Sequence, residues 1–71
     1  MKGNRFDKGT PGMIERLGRC TLYHRKINGE FFQWKIKHGF TDVVGDYAMD
    51  NIVALNNALN ELKKKFKTIL N

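Results

Sequence analysis

Asn28-Gly29 stands between two runs of β-forming residues, "CTLYHRKI" before it and "FFQWKIK" shortly after it. An Asn-Gly pair favours the positive φ that both central residues of a two-residue type I′ turn require, so the stretch predicts a β-hairpin whose turn sets the register. That register pairs Ile27 with Glu30, Arg25 with Phe32, Tyr23 with Trp34 and Thr21 with Ile36, and side-chain alternation puts these eight on one face. The other face takes Cys20, Leu22, His24, Lys26, Phe31, Gln33, Lys35 and Lys37. The aromatic and aliphatic face, led by Trp34, Tyr23, Ile36 and Ile27, is expected to pack inward. The basic and polar face, with Lys26, Lys35, Lys37, His24 and Phe31, is expected to face out. A slip of one residue exchanges the two sets but also places the lysines against the core, so the hydrophobic pattern and the turn agree on this register.

The final segment, "AMDNIVALNNALNELKKKFKTIL", is the most regular one. Ala48, Ile52, Leu55, Leu59, Leu62, Phe66 and Ile69 recur at alternating spacings of four and three, the stripe of an amphipathic helix. Asp46 or Asp50 can cap its start, and the "KKK" run of Lys63, Lys64 and Lys65 near its end suits the helix dipole. About twenty residues of helix span roughly 30 Å, longer than the roughly 24 Å of a seven-residue strand. Phe66, Ile69 and Leu70 at the overhanging end are therefore the candidates for a homodimer contact.

Between hairpin and helix, "FTDVVGDY" carries Val43, Val44 and Tyr47 and predicts a third strand, with Gly45 marking a bulge or the strand's end. "MIERLGR" reads as a helical turn or, preferably, as a strand entering the sheet. Residues 1–12, "MKGNRFDKGTPG", hold three glycines, the only proline and three bases, and read as a flexible basic arm. The expected fold is α+β: a three-stranded antiparallel sheet packed on one long C-terminal helix, with residues 13–71 as a single small domain.

A chain of 71 residues builds one thin core and no large cleft. Its one cysteine excludes an intrachain disulfide and a cysteine-based zinc site. No apolar run approaches the roughly 20 residues of a membrane span, and the N-terminus lacks a signal-peptide core, so a soluble cytoplasmic protein is expected. Catalysis is not expected. The chain has no serine, and Cys20 and His24 on one strand lie about 13 Å apart, too far for a thiol and its base. His24 and His38 lack nearby carboxylates in the hairpin to complete a metal site, and "VVGDYAMDN" lacks the glycines and lysine of a phosphate loop. No cofactor is expected.

Charge points to a polyanion. Thirteen Lys and Arg stand against seven Asp and Glu; residues 1–40 hold nine bases and three acids, residues 41–71 four of each. The order of arm, hairpin, further strand and helix, with "YHRKINGEFFQWKIKHG" followed by "VVGDYAMDNIVALNNAL", resembles the AP2-type DNA-binding domains and the arm-binding N-terminal domains of tyrosine integrases. The resemblance covers residues 19–62. It implies a sheet laid in the major groove of DNA with the helix behind it. In that arrangement Lys26, Lys35 and Lys37 reach phosphates or bases, Gln33 pairs with an adenine edge, and His24 and Phe31 add contacts. Lys2, Arg5 and Lys8 add phosphate contacts from the arm. Two alternatives stand beside this one. A basic sheet with an exposed aromatic also suits single-stranded nucleic acid, and a small phage- or plasmid-type inhibitor would dock on a protein through Phe31, Leu22 and the helix end.

Overall fold

The computed structural model describes residues 5–70, with side chains through Phe66. Five elements follow one another: β1 (Thr10–Ile14), β2 (Gly18–Ile27), β3 (Phe31–His38), β4 (Thr41–Val44) and α1 (Asn51–Leu70). The strands form one antiparallel meander in chain order, and α1 lies across β3 and β4. The α+β class and the C-terminal helix agree with the sequence reading, but the sheet has four strands rather than three. The additional strand is β1, which takes in Thr10, Pro11 and Gly12 from the end of the expected arm. As the sheet's edge it accommodates Pro11, whose missing N–H costs least there. "MIERLGR" is thus strand, turn and strand: Leu17 N donates to Ile14 O (3.0 Å), with Arg16 at φ 73° inside the turn.

The hairpin turn forms as its sequence requires, with Asn28 and Gly29 at φ 55° and 71° and Glu30 N donating to Ile27 O (3.1 Å). Its register differs from expectation. Ile27 pairs with Phe31, Arg25 with Gln33, Tyr23 with Lys35 and His24 with Trp34. Glu30 is an extra residue between turn and ladder, a bulge in which Glu30 and Phe31 together oppose Ile27. The inward set on β3 therefore stands, with Phe32, Trp34 and Ile36 facing the helix, but the set on β2 is reversed. Cys20, Leu22, His24 and Lys26 lie on the helix side, and Thr21, Tyr23, Arg25 and Ile27 lie on the open side. Tyr23 and Ile27, expected inward, are corrected by this shift.

The core confirms the corrected parity. Ile14, Cys20, Ile36, Val43, Ala58 and Leu62 form its buried cluster, with Leu17, Leu22, Trp34, Leu59 and Phe66 packed against it. The helix is capped by Asp50, whose Oδ1 accepts from Ile52 N (3.4 Å) and whose carbonyl accepts from Ala54 N (3.0 Å). Its buried line runs through Ala54, Ala58 and Leu62, while Ile52, expected in the stripe, is 67% exposed. The reason lies at Gly45, just beyond β4. A methyl group there would stand 2.6 Å from Ala58 Cα and 2.7 Å from the Asn57 carbonyl carbon. Helix backbone and strand end touch at Ala58, so only a small side chain fits at that point of the line, and Ile52 is turned away. Gly45 ends the strand, one of the two roles expected of it. Trp34 Nε1 donates to Asn51 Oδ1 (2.8 Å), fastening the start of the helix to β3.

No helix among the described residues is long and apolar enough to cross a membrane. Of the three residues expected at a dimer contact, Phe66 is half-buried against the His38 ring, with centroids 5.0 Å apart. The side chains of Ile69 and Leu70 lie outside the described residues.

Candidate nucleic-acid interface

The sheet face opposite α1 is built by alternation along β2 and β3. It presents Arg19, Thr21, Tyr23, Arg25 and Ile27 beside Phe31, Gln33, Lys35 and Lys37. Four bases stand here, and β2 and β3 place no carboxylate among them; Asp42 on β4, opposite Lys37, is the nearest acid in register. Arg19 and Arg25 are six residues apart on one strand, so the basic stripe runs about 20 Å.

This is not the residue set the sequence suggested. Phe31, Gln33, Lys35 and Lys37 share the open face, but His24 and Lys26 are on the other one. His24 stacks on Trp34 (centroids 4.9 Å apart) and its Nε2 lies 3.3 Å from Asp7 Oδ2, while the Lys26 ammonium sits 5.4 Å from the Phe32 ring centroid. Arg5 and Lys8 are exposed, and Lys2 lies outside the described residues. In place of His24 and Lys26 the face gains Arg19, Arg25 and Tyr23. The signal that could have found them was the length of the turn: with Glu30 counted as a third loop residue, the parity of β2 inverts.

A chain of hydrogen bonds holds the middle of this face. Arg25 Nε donates to Gln33 Oε1 (2.8 Å), and Gln33 Nε2 donates to the carbonyl of Gly45 (3.0 Å). Both ends of the Gln33 amide are thus engaged within the chain, which fixes its orientation and leaves one lone pair and one N–H for the expected pairing with an adenine edge. Arg25, in turn, is held at a defined position above β2.

Phe6 lies on the same face. Its ring centroid is 4.6 Å from the Arg25 guanidinium carbon and 5.4 Å from Lys35 Nζ, which is also 5.0 Å from the Tyr23 ring. Cations at these distances over an aromatic face are attracted by its quadrupole. Residues 5–9 reach this place along β2: Asp7 N donates to His24 O (2.7 Å), and Gly9 lies against Thr21 and Tyr23 so closely that a Cβ would come 2.6 Å from the Tyr23 ring. At the far side Phe31 meets Tyr47 edge-on, with centroids 5.2 Å apart.

Chemically the face offers positive charge, flat apolar rings and guanidinium donors. Among the described residues no group of three or more His, Cys, Asp or Glu side chains is placed to hold a metal ion. Cys20 is buried on the helix side, and desolvation pushes its thiol pKa up, away from the reactive thiolate.

The fold and face define a small α+β domain with a basic, ring-bearing sheet surface. No family model, curated protein or solved structure matches the chain.

Proposed function

We propose that the chain is a non-enzymatic nucleic-acid-binding protein that acts through its open sheet face, with Arg19, Arg25, Lys35 and Lys37 as the cations that meet phosphate. The observation that carries this reading is the segregation of charge: four bases of the hairpin share one face on which β2 and β3 place no acid. Such a stripe neutralises a phosphate backbone and displaces its counterions. Duplex DNA is the first ligand, because a sheet backed by a helix can enter a major groove as a rigid unit. A single strand is the second, favoured by Tyr23, Phe31 and Phe6 sharing the face with the cations, since rings beside a basic track are what base stacking needs.

Fluorescence anisotropy with a labelled duplex and a labelled single strand, across a salt series, tests the reading. Four phosphate contacts give a slope of log K against log salt of about −3 to −4. Arg19→Gln with Lys37→Gln is expected to weaken binding about tenfold and to flatten that slope by about two contacts. Lys26→Gln, on the opposite face, is the control. Equal losses from the two variants, or a slope near zero, would sink the proposal, and the latter result would point to a protein partner.

A further inference from the structure

We propose that the seat of Phe6 on the open face is a slot for one unpaired nucleobase, and that residues 5–9 vacate it when a strand binds. This rests on the nucleic-acid reading above and narrows it to strands that can offer an unpaired base.

The slot is built by the sheet rather than by its occupant. Arg25 stands on β2, Lys35 on β3 and Tyr23 beside them. The guanidinium of Arg25 is held through Nε by Gln33, and Gln33 is anchored to Gly45 at the end of β4. That line of bonds does not involve Phe6, so the cation stays in place when the ring leaves. Phe6, by contrast, is delivered by a segment outside the strands. The backbone bond described for residues 5–9 is Asp7 N to His24 O, and the accompanying Asp7–His24 side-chain contact joins groups that are 63% and 44% exposed. Exposed pairs of this kind add little.

What sits in the slot now indicates what it accepts: a flat π-system under a guanidinium and an ammonium. A nucleobase presents the same kind of face, and every base has one. A strand also brings phosphates within reach of Arg19 and Lys37, whereas the Phe6 segment brings Asp7 to His24 on the other side of the sheet. Base and phosphate together can therefore outcompete a ring alone. The exchange costs the ligand the fraction of time the slot is already filled.

Two variants open the slot in different ways. Phe6→Ala removes the occupant. Gly9→Ala lifts the segment instead, because its Cβ would collide with the Tyr23 ring and with Thr21 Cγ2. Binding of a labelled base-bearing single strand and of an abasic strand of equal length is compared at low salt for wild type and both variants, with circular dichroism confirming the fold. Phe6→Ala is expected to bind the base-bearing strand about fivefold more tightly than wild type and the abasic strand no more tightly. Gly9→Ala should change in the same direction, and it decides the matter if Phe6→Ala does not fold. Unchanged or weaker binding of the base-bearing strand by the folded variants overturns the slot. An equal gain on both strands also overturns it, since Phe6 would then only shield charge. Salt-dependent binding by wild type with either of those results removes the slot and leaves the nucleic-acid reading standing. Absence of binding by wild type and variants to every strand and duplex removes both.

Discussion

Ile27 faces Phe31 across the hairpin, and Glu30 stands between them outside the ladder. Because the ladder skips it, Tyr23 and Arg25 rather than His24 and Lys26 share a face with Lys35 and Lys37. Deleting Glu30 would leave Asn28-Gly29 as a two-residue loop with Ile27 still opposite Phe31. The variant is therefore expected to keep both faces intact, with stability changed by no more than about 1 kcal/mol. Nuclear Overhauser contacts between His24 and Trp34, and between Tyr23 and Lys35, check this. Contacts between Tyr23 and Trp34 in their place would show that the strands re-pair when Glu30 is removed, and that it is not merely an insertion outside the ladder.

Gly45 is where helix and sheet come closest. Gly45→Ala must push Ala58 and Asn57 away, which is expected to cost about 1–3 kcal/mol, as overpacking does. Gly18→Ala is a useful comparison, because it meets nothing within 4 Å and is strained only by its φ of 85°; about 1 kcal/mol is expected there. Urea denaturation of the two variants measures the difference. A Gly45→Ala protein as stable as wild type would mean that α1 does not rest on this residue.

Arg16 occupies a turn position at φ 73°, a region that side chains other than glycine, asparagine and aspartate seldom visit. Arg16→Gly removes that strain and is expected to stabilise the fold by about 1 kcal/mol, raising Tm by roughly 4–8 °C for a domain of this size. A thermal melt is sufficient. A lower Tm would mean that the arginine side chain contributes more than its backbone conformation costs.

Burial raises the Cys20 thiol pKa by disfavouring the thiolate. The sign follows directly. The unfolded chain releases the thiol proton at a lower pH than the folded one, so the contribution is intact below the ordinary thiol range and is lost as pH rises through the folded value. Cys20→Ala, lacking the group, is expected to lose less stability than wild type as pH rises through the thiol range. Alkylation of native protein should also be much slower than that of urea-unfolded protein. Equal rates in the two states would show that Cys20 is accessible.

Much of the fold was legible because local chemistry and global packing demand the same thing. The Asn28-Gly29 turn, the strand character of residues 31–38 and of Thr41–Val44, and the amphipathic C-terminal helix all follow from residue types and their spacing. The polarity of β3 was legible too, since Phe32, Trp34 and Ile36 alternate with Gln33, Lys35 and Lys37. On β2 that contrast is missing. Leu22 and Cys20 favour one parity, Tyr23 and Ile27 the other, and each set carries a base. With the hydrophobic pattern balanced, turn length alone decided, and the bulged residue looks like any strand residue in sequence.

What the sequence by itself determined is the class of the protein: one small α+β domain, a hairpin turning at Asn28-Gly29, a closing helix and an excess of positive charge towards the N-terminal half. Only the tertiary structure decided where that charge is displayed. The Glu30 bulge brings Arg19, Arg25 and Tyr23 to the open face and removes His24 and Lys26. The backbone contact at Gly45 turns Ala54 and Ala58 inward in place of Ile52. Residues 5–9 place Phe6 between Arg25 and Lys35. The last two outcomes depend on contacts between residues distant in the chain, which leave no periodic trace in the segments that make them, and the first on a bulged residue that looks like any strand residue in sequence.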